Sequence, residues 1–216
     1  MLFRDRADAG RRLARKLAHL KNETLLVLVL PRGGVPVACE IARELGAPLE
    51  LLLVRKIGVP WQPELAMGAV VDGEHPQTFI NKGIARAAHV SEAEIQVAAK
   101  REIEEIERRR ALWLGGHSHS PLSGRTVIVV DDGIATGAST RIALRSVRAE
   151  HAKRVVLAAP VTSAEAAKSL KSECDEFAFV VMPENMDAVG SFYDDFHQLD
   201  DAEVTALLRQ AQSRAA

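Results

Sequence analysis

The chain has 216 residues, 47% of them hydrophobic and 26% charged, with 28 lysines and arginines set against 29 aspartates and glutamates. A formal net charge of −1 excludes the broad basic field that holds nucleic acid or an anionic membrane through counterion release, so any anion site must be local. The most apolar run, Leu25–Leu30, is far too short to cross a bilayer. The amino terminus lacks the apolar core and cleavage site of a secretory signal. Cys39 and Cys174 have neither zinc-ligand spacing nor a disulfide framework, so a cytoplasmic setting is expected.

In chain order, Leu13, Leu17 and Leu20 recur at helical spacing and predict an amphipathic first helix. Leu25–Leu30 reads as a buried strand ending at Pro31-Arg32-Gly33-Gly34. Val37, Ile41 and Leu45 then share one face of a second helix. A strand is predicted near Leu49–Val54, a Gly/Pro-containing loop from Arg55 to Pro63, and short strands around Met67–Val71 and Thr78–Ile80. Ser91–Leu114 reads as a long surface helix. Ser91 and Glu94 form its capping box, Ile95, Ile103, Ile106 and Trp113 lie near one stripe, and Glu104–Arg108 and Glu105–Arg109 are favourable i,i+4 pairs. This charge run reads as a solvated face, and the helix is left open as a dimer contact or a hood over the site. Gly115–Gly124 has loop composition; its His117 and His119 have no carboxylate cluster nearby, so a metal site there is not expected. Strand Thr126–Val130, helix Ala138–Ala149, strand Arg154–Ala159, helix Ser163–Lys171, strand Phe177–Val181 and helix Asp201–Gln210 follow. Repeated strand–helix alternation predicts a three-layer α/β fold, a mostly parallel central sheet with helices on both faces. It is taken as one domain over 1–216, with a charged helical insertion at about 84–114 and a C-terminal segment at about 182–216.

The chemistry concentrates in Val127–Thr140, VIVVDDGIATGAST. Four β-branched residues bring Asp131 and Asp132 to the carboxyl end of a central strand, the edge at which open α/β sheets bind ligands. Gly133, Ile134, Ala135, Thr136, Gly137, Ala138, Ser139 and Thr140 are mostly small or hydroxylated and open a helix, where free amides and the helix dipole favour a phosphate. Two carboxylates beside a phosphate cup would repel phosphate alone. They make sense as acceptors for a ribose diol and as partners of a hydrated Mg²⁺. Ordinary helix capping is the competing reading, but it needs one acceptor rather than an acidic pair.

This segment resembles the phosphoribosyl diphosphate (PRPP) signature of type I phosphoribosyltransferases, and that resemblance implies their fold. Pro31-Arg32-Gly33-Gly34 resembles the family's pyrophosphate loop, where glycine permits close backbone approach and the peptide geometry is often unusual. Arg55-Lys56 resemble the basic pair that in adenine-type members reaches toward pyrophosphate. The resemblance implies that Arg32, the amides of Gly33 and Gly34, Lys56 and Mg²⁺ stabilise the leaving pyrophosphate. It also implies that Asp131 and Asp132 hold the ribose and that Thr136–Thr140 anchor the 5′-phosphate. Ala135 stands where hypoxanthine-guanine-type members often carry a carboxylate base, and Glu64 is the nearest candidate for a loop acid or base. Phe192, Tyr193 and Asp194 are candidates for the acceptor side, although docking of the last helix explains the aromatics equally well. The expected partners are PRPP and a small-molecule nitrogen acceptor, purine-like, with no nucleic acid and no membrane; a homodimer is left open. The alternative is a non-catalytic PRPP- or nucleotide-sensing regulator of the same fold. The lack of GxGxxG, GxxxxGK[ST] and GxSxG argues against other nucleotide or hydrolase sites.

Overall fold

The computed structural model describes residues 2–73, 76–114 and 120–212; His117 and His119 lie outside them. In chain order the elements are α1 (Arg6–Lys16), β1 (Leu25–Val29), α2 (Gly34–Leu45), β2 (Leu49–Leu51), β3 (Val54–Val59), β4 (Gln62–Val71), β5 (Gln77–Ile80), α3 (Lys82–Ala87), α4 (Glu92–Leu114), β6 (Thr126–Val130), α5 (Ala138–Ala149), β7 (Arg154–Val161), α6 (Ala164–Leu170), β8 (Glu176–Val181) and α7 (Asp201–Gln212). They form two compact units, Met1–Leu51 with Pro121–Ala216, and Leu52–Ser120.

The first unit is built on a five-stranded sheet of order β2-β1-β6-β7-β8, parallel at every pairing. Every residue of β1 and β6 is buried. That explains their unbroken aliphatic sequences: a strand covered on both faces has no polar side to alternate with. From β1 the chain crosses through α2 to β2 on one side, and from β6 through α5 to β7 on the other. Because such crossovers are right-handed, opposite directions of travel put α2 and α5 on opposite faces of the sheet. The reversal also opens a crevice between the carboxyl ends of β1 and β6. Val37, Ile41 and Leu45 are buried on α2, as their spacing predicts. The N-terminal residues join this unit by pairing with its C-terminal segment: Phe3 N donates to Phe192 O at 2.9 Å and Asp194 N to Phe3 O at 2.9 Å.

The second unit has an antiparallel sheet of order β3-β4-β5 together with α3 and α4. The Ser91–Glu94 capping box forms, with Ser91 N donating to Glu94 Oε2 at 2.8 Å and Glu94 N to Ser91 Oγ at 3.3 Å. Arg109 reaches Glu105 at 2.7 Å, and Arg108 also turns to Glu105 at 2.7 Å, one residue closer than the predicted Glu104. Two expectations are corrected here. The strand read over Leu49–Val54 is two strands in different sheets. The segment Arg55–Pro63, read as a loop from its glycine and prolines, is mostly β3 and the start of β4, a hairpin whose register shifts around Gly58. Irregular pairing tolerates Gly and Pro that a regular strand would reject. Arg55 and Lys56 therefore lie inside a strand.

At the amino edge of the parallel sheet, opposite the crevice, Glu23 ties three segments together. Its carboxylate accepts from the Thr126 hydroxyl of β6 and from Arg154 Nη1 of β7 at 2.8 Å. The Thr126 hydrogen bond, helped by Arg154, holds the Glu23 carboxyl below its ordinary range. A carboxylate depressed in the folded state adds stability above its unfolded pKa, and that stability is lost as pH falls through the folded pKa. Glu23 is 30% exposed, so solvent screens the ion pair. Glu23→Ala is expected to lose about 1 kcal/mol at neutral pH. In urea denaturation, the gap from the unaltered protein should narrow as pH is lowered below about 4.

Candidate functional site

The crevice is walled by the loops that leave two adjacent strands. β1 and β6 run in register, Val29 opposite Val130, and Leu30 N donates to Val130 O at 2.9 Å. This sets Pro31–Gly34 beside Asp131 and Asp132. The Pro31–Arg32 peptide is cis, and Gly33 lies so close to the acidic pair that a Cβ there would collide with the Asp132 carboxylate. Only glycine leaves room for that carboxylate.

Each member of the acidic pair has a different surrounding. Asp131 Oδ1 accepts the Asp132 N–H at 2.9 Å. Burial, then the neighbouring Asp132 charge, push the Asp131 carboxyl well above the usual carboxylate range, because both effects disfavour a second negative charge. Asp132 Oδ2 instead accepts from Arg6 Nε at 2.8 Å, and its backbone carbonyl accepts the Tyr193 hydroxyl at 2.6 Å. Tyr193 is 1% exposed. Its ring lies between Phe3, 5.2 Å away, and Phe196, 4.9 Å away, and burial raises its hydroxyl pKa. Arg6, Asp131 and Asp132, together with Arg32, Phe196 and Leu199, line a cavity of about 520 Å³.

The next turn is shaped to take an anion. Gly137 sits in the left-handed region at φ 72° and begins α5 with no side-chain cap, so the first amides of the helix keep their unpaired N–H groups for an external acceptor. The carbonyls before it are committed: Ile134 O accepts from Ser163 N at 2.9 Å and Ala135 O from Ser163 Oγ at 2.7 Å. Ala135, Thr136 and Ala138 are exposed and Ser139 is half-exposed, whereas Thr140 is packed into the unit.

A family model for the phosphoribosyl transferase domain matches residues 3–195. The chain belongs to this family. A Mycobacterium tuberculosis protein named as a phosphoribosyl transferase, Rv0571c in strain H37Rv, is 43% identical over 210 residues, which are 97% of this chain and 47% of that protein. The match in strain CDC 1551 has the same values, so the chain spans about half the length of the curated relatives it matches. The crystal structure of TT1426 from Thermus thermophilus superposes with a TM-score of 0.83 at 40% identity, covering 97% of this chain and 99% of that one. The five-stranded parallel sheet with its surrounding helices is thus the type I phosphoribosyltransferase fold.

The first unit brings together Arg32, Gly33, Gly34, Asp131, Asp132 and the Gly133–Thr140 turn. The Arg32 guanidinium is turned onto the C-terminal segment, donating to Leu199 O at 3.1 Å and lying 3.2 Å from Asp201. Arg55, Lys56 and Glu64 belong to the second unit. There Arg55 Nε meets Glu102 at 2.7 Å, while Lys56 and Glu64 are exposed. Of the two roles left open for Tyr193, its burial favours packing, since a side chain 1% exposed has no face to offer a base. Phe192 is half-buried and Asp194 exposed, but the aromatic that lines the cavity is Phe196. Sequence reasoning missed Arg6 and Phe196. Arg6 lies in no motif, and its only signal is a position at the start of a helix that pairing of the chain ends brings to the site.

Two substitutions test this arrangement. Tyr193→Phe keeps the ring but removes the bond to the Asp132 carbonyl, and should cost about 1 kcal/mol, or about 2–4 °C of Tm in thermal unfolding. Gly33→Ala forces the loop and the Asp132 carboxylate apart, and should cost about 1–3 kcal/mol in the same assay.

Proposed function

We propose that the chain binds PRPP at this crevice and transfers its 5-phosphoribosyl group to a nitrogen acceptor, a purine-like base, with release of pyrophosphate. One observation carries the reading: an acidic pair suited to a ribose diol stands one turn before an uncapped helix N-terminus suited to its 5′-phosphate, within a single compact unit. Asp131 and Asp132 accept the ribose hydroxyls, and the amides and hydroxyls of Gly133–Thr140 hold the phosphate. Gly33 and Gly34 bring backbone to the pyrophosphate. Arg32 joins them by exchanging its hold on Leu199 and Asp201 for the leaving group. By the family resemblance, Arg55 and Lys56 are assigned to pyrophosphate and Glu64 to proton transfer. Phe192 and Asp194 are assigned to the acceptor side.

The donor set suits Mg²⁺, a hard cation usually held by one or two carboxylates, with phosphates and water completing its shell. Arg6 occupies only one oxygen of Asp132, so Asp131 and Asp132 would hold the ion beside the ribose hydroxyls. Bound there, it supplies positive charge that favours departure of pyrophosphate. The residues do the rest by placing the ribose carbon between leaving group and acceptor as oxocarbenium character develops. With Ala135 in the turn, the acceptor's proton has no carboxylate to receive it at that position. The setting proposed is cytoplasmic.

Isothermal titration with PRPP and Mg²⁺ should give saturable binding, and a pyrophosphate-release screen across purines, pyrimidines and other amines should identify an acceptor. Binding without release for every acceptor would favour a sensor over an enzyme, and a folded protein that does not bind PRPP would refute both. Asp131→Asn combined with Asp132→Asn should abolish PRPP binding while circular dichroism stays unchanged; normal binding by this variant would remove the ribose assignment.

A further inference from the structure

Arg6 lies outside every motif in the sequence, yet among the described residues it makes the one ion pair to the acidic pair. Its side chain is only 8% exposed, unusual for arginine unless every face is engaged. Here every face is. Nε donates to Asp132 Oδ2 at 2.8 Å, Nη1 donates to His197 O at 3.0 Å, and the guanidinium carbon lies 3.8 Å from the centre of the Phe196 ring. Asp132 Oδ2 is thus enclosed between Arg6 and the backbone of Gly33, where even a methyl group would collide with it. A carboxylate gripped through one oxygen and walled on that side cannot rotate freely, and it presents its second oxygen in one orientation.

Resting on the PRPP reading, we propose that Arg6 is the positioning residue of the donor site: it clamps Asp132 through Oδ2 so that Oδ1 meets the ribose in a fixed direction. Phe196 and the His197 carbonyl hold the clamp in turn. The site therefore depends on both ends of the chain, on α1 for the arginine and on the segment before α7 for its support. The arrangement also removes a defect of the motif taken alone. Two adjacent acids facing a polyanionic donor would repel it, and a fixed guanidinium behind one of them offsets that repulsion without occupying the ligand's place.

The test compares Arg6→Met, which keeps an unbranched stem of similar reach against Phe196, with Arg6→Lys, which keeps the charge but not the planar fork. Arg12→Gln is the control. Arg12 is another α1 arginine, paired with Asp8 at 2.9 Å and lying 5.4 Å from the Phe3 ring, but it does not touch the acidic pair. Titration with PRPP and Mg²⁺ is carried out well below each variant's Tm, with folding checked by circular dichroism. Loss of a charge-assisted bond predicts that Arg6→Met weakens PRPP binding about 10–100-fold. Arg6→Lys should recover part of this, and Arg12→Gln should stay within about twofold of the unaltered protein, since separate sites act independently. A folded Arg6→Met that binds normally overturns the proposal. So does an Arg12→Gln variant weakened as much as Arg6→Met, which would mean that α1 acts only through stability. If Arg6→Met does not fold, Arg6→Lys decides: unaltered affinity overturns the clamp. If the unaltered protein itself does not bind PRPP, the donor reading fails, a result distinct from any failure of Arg6.

Discussion

Two carboxylates on consecutive residues, at the carboxyl end of a fully buried strand, are the constraint around which the first unit is organised. Like charges this close resist being ionised together, and burial sharpens the conflict. The structure separates their fates. Asp131 takes the desolvation and is pushed toward its protonated form, while Asp132 is given a guanidinium and a tyrosine hydroxyl on its carbonyl. The lack of a side chain at Gly33 belongs to the same solution, because the room taken by the Asp132 carboxylate is room a methyl group would fill.

The fold supplies the rest of the site's geometry through topology. A parallel sheet sends successive strands the same way, so their carboxyl ends and the loops that follow lie along one edge. The reversal of strand order between β1 and β6 leaves the space between those loops uncovered by a crossover helix. Glycine-rich backbone from one strand and acidic side chains from the other then face a common cavity. The opposite edge has the reverse character: there Glu23, Thr126, Arg154 and Glu176 are satisfied by one another, and the polar groups serve cohesion.

Much of this was legible in the residues. The aliphatic runs, the 3.6-residue spacing on α2 and the acid–glycine–hydroxyl order of Asp131–Thr140 are local patterns, and each reports a local requirement: burial on two faces, a core-facing stripe, a helix start without a side-chain cap. The hairpin of β3 and β4 was less legible, since glycine and prolines near an irregular pairing look like a loop until the partner strand is seen. Tyr193 was ambiguous for a related reason. An aromatic ring serves a base or a core equally well, and only burial distinguishes the two.

The sequence by itself determined the class of fold, the position of the acidic pair at the end of a central strand, and the turn of small and hydroxylated residues that opens the next helix, because those depend on residues within a few positions of one another. Tertiary structure alone decided which oxygen of Asp132 is held, that Arg6 and Phe196 belong to the site, and that Arg32 rests on Leu199 and Asp201. The physical reason is separation along the chain. Arg6 and Asp132 are 126 positions apart and meet only because the pairing of Phe3 with Tyr193 closes the two ends of the chain around the same sheet edge, and no pattern within either segment encodes that contact.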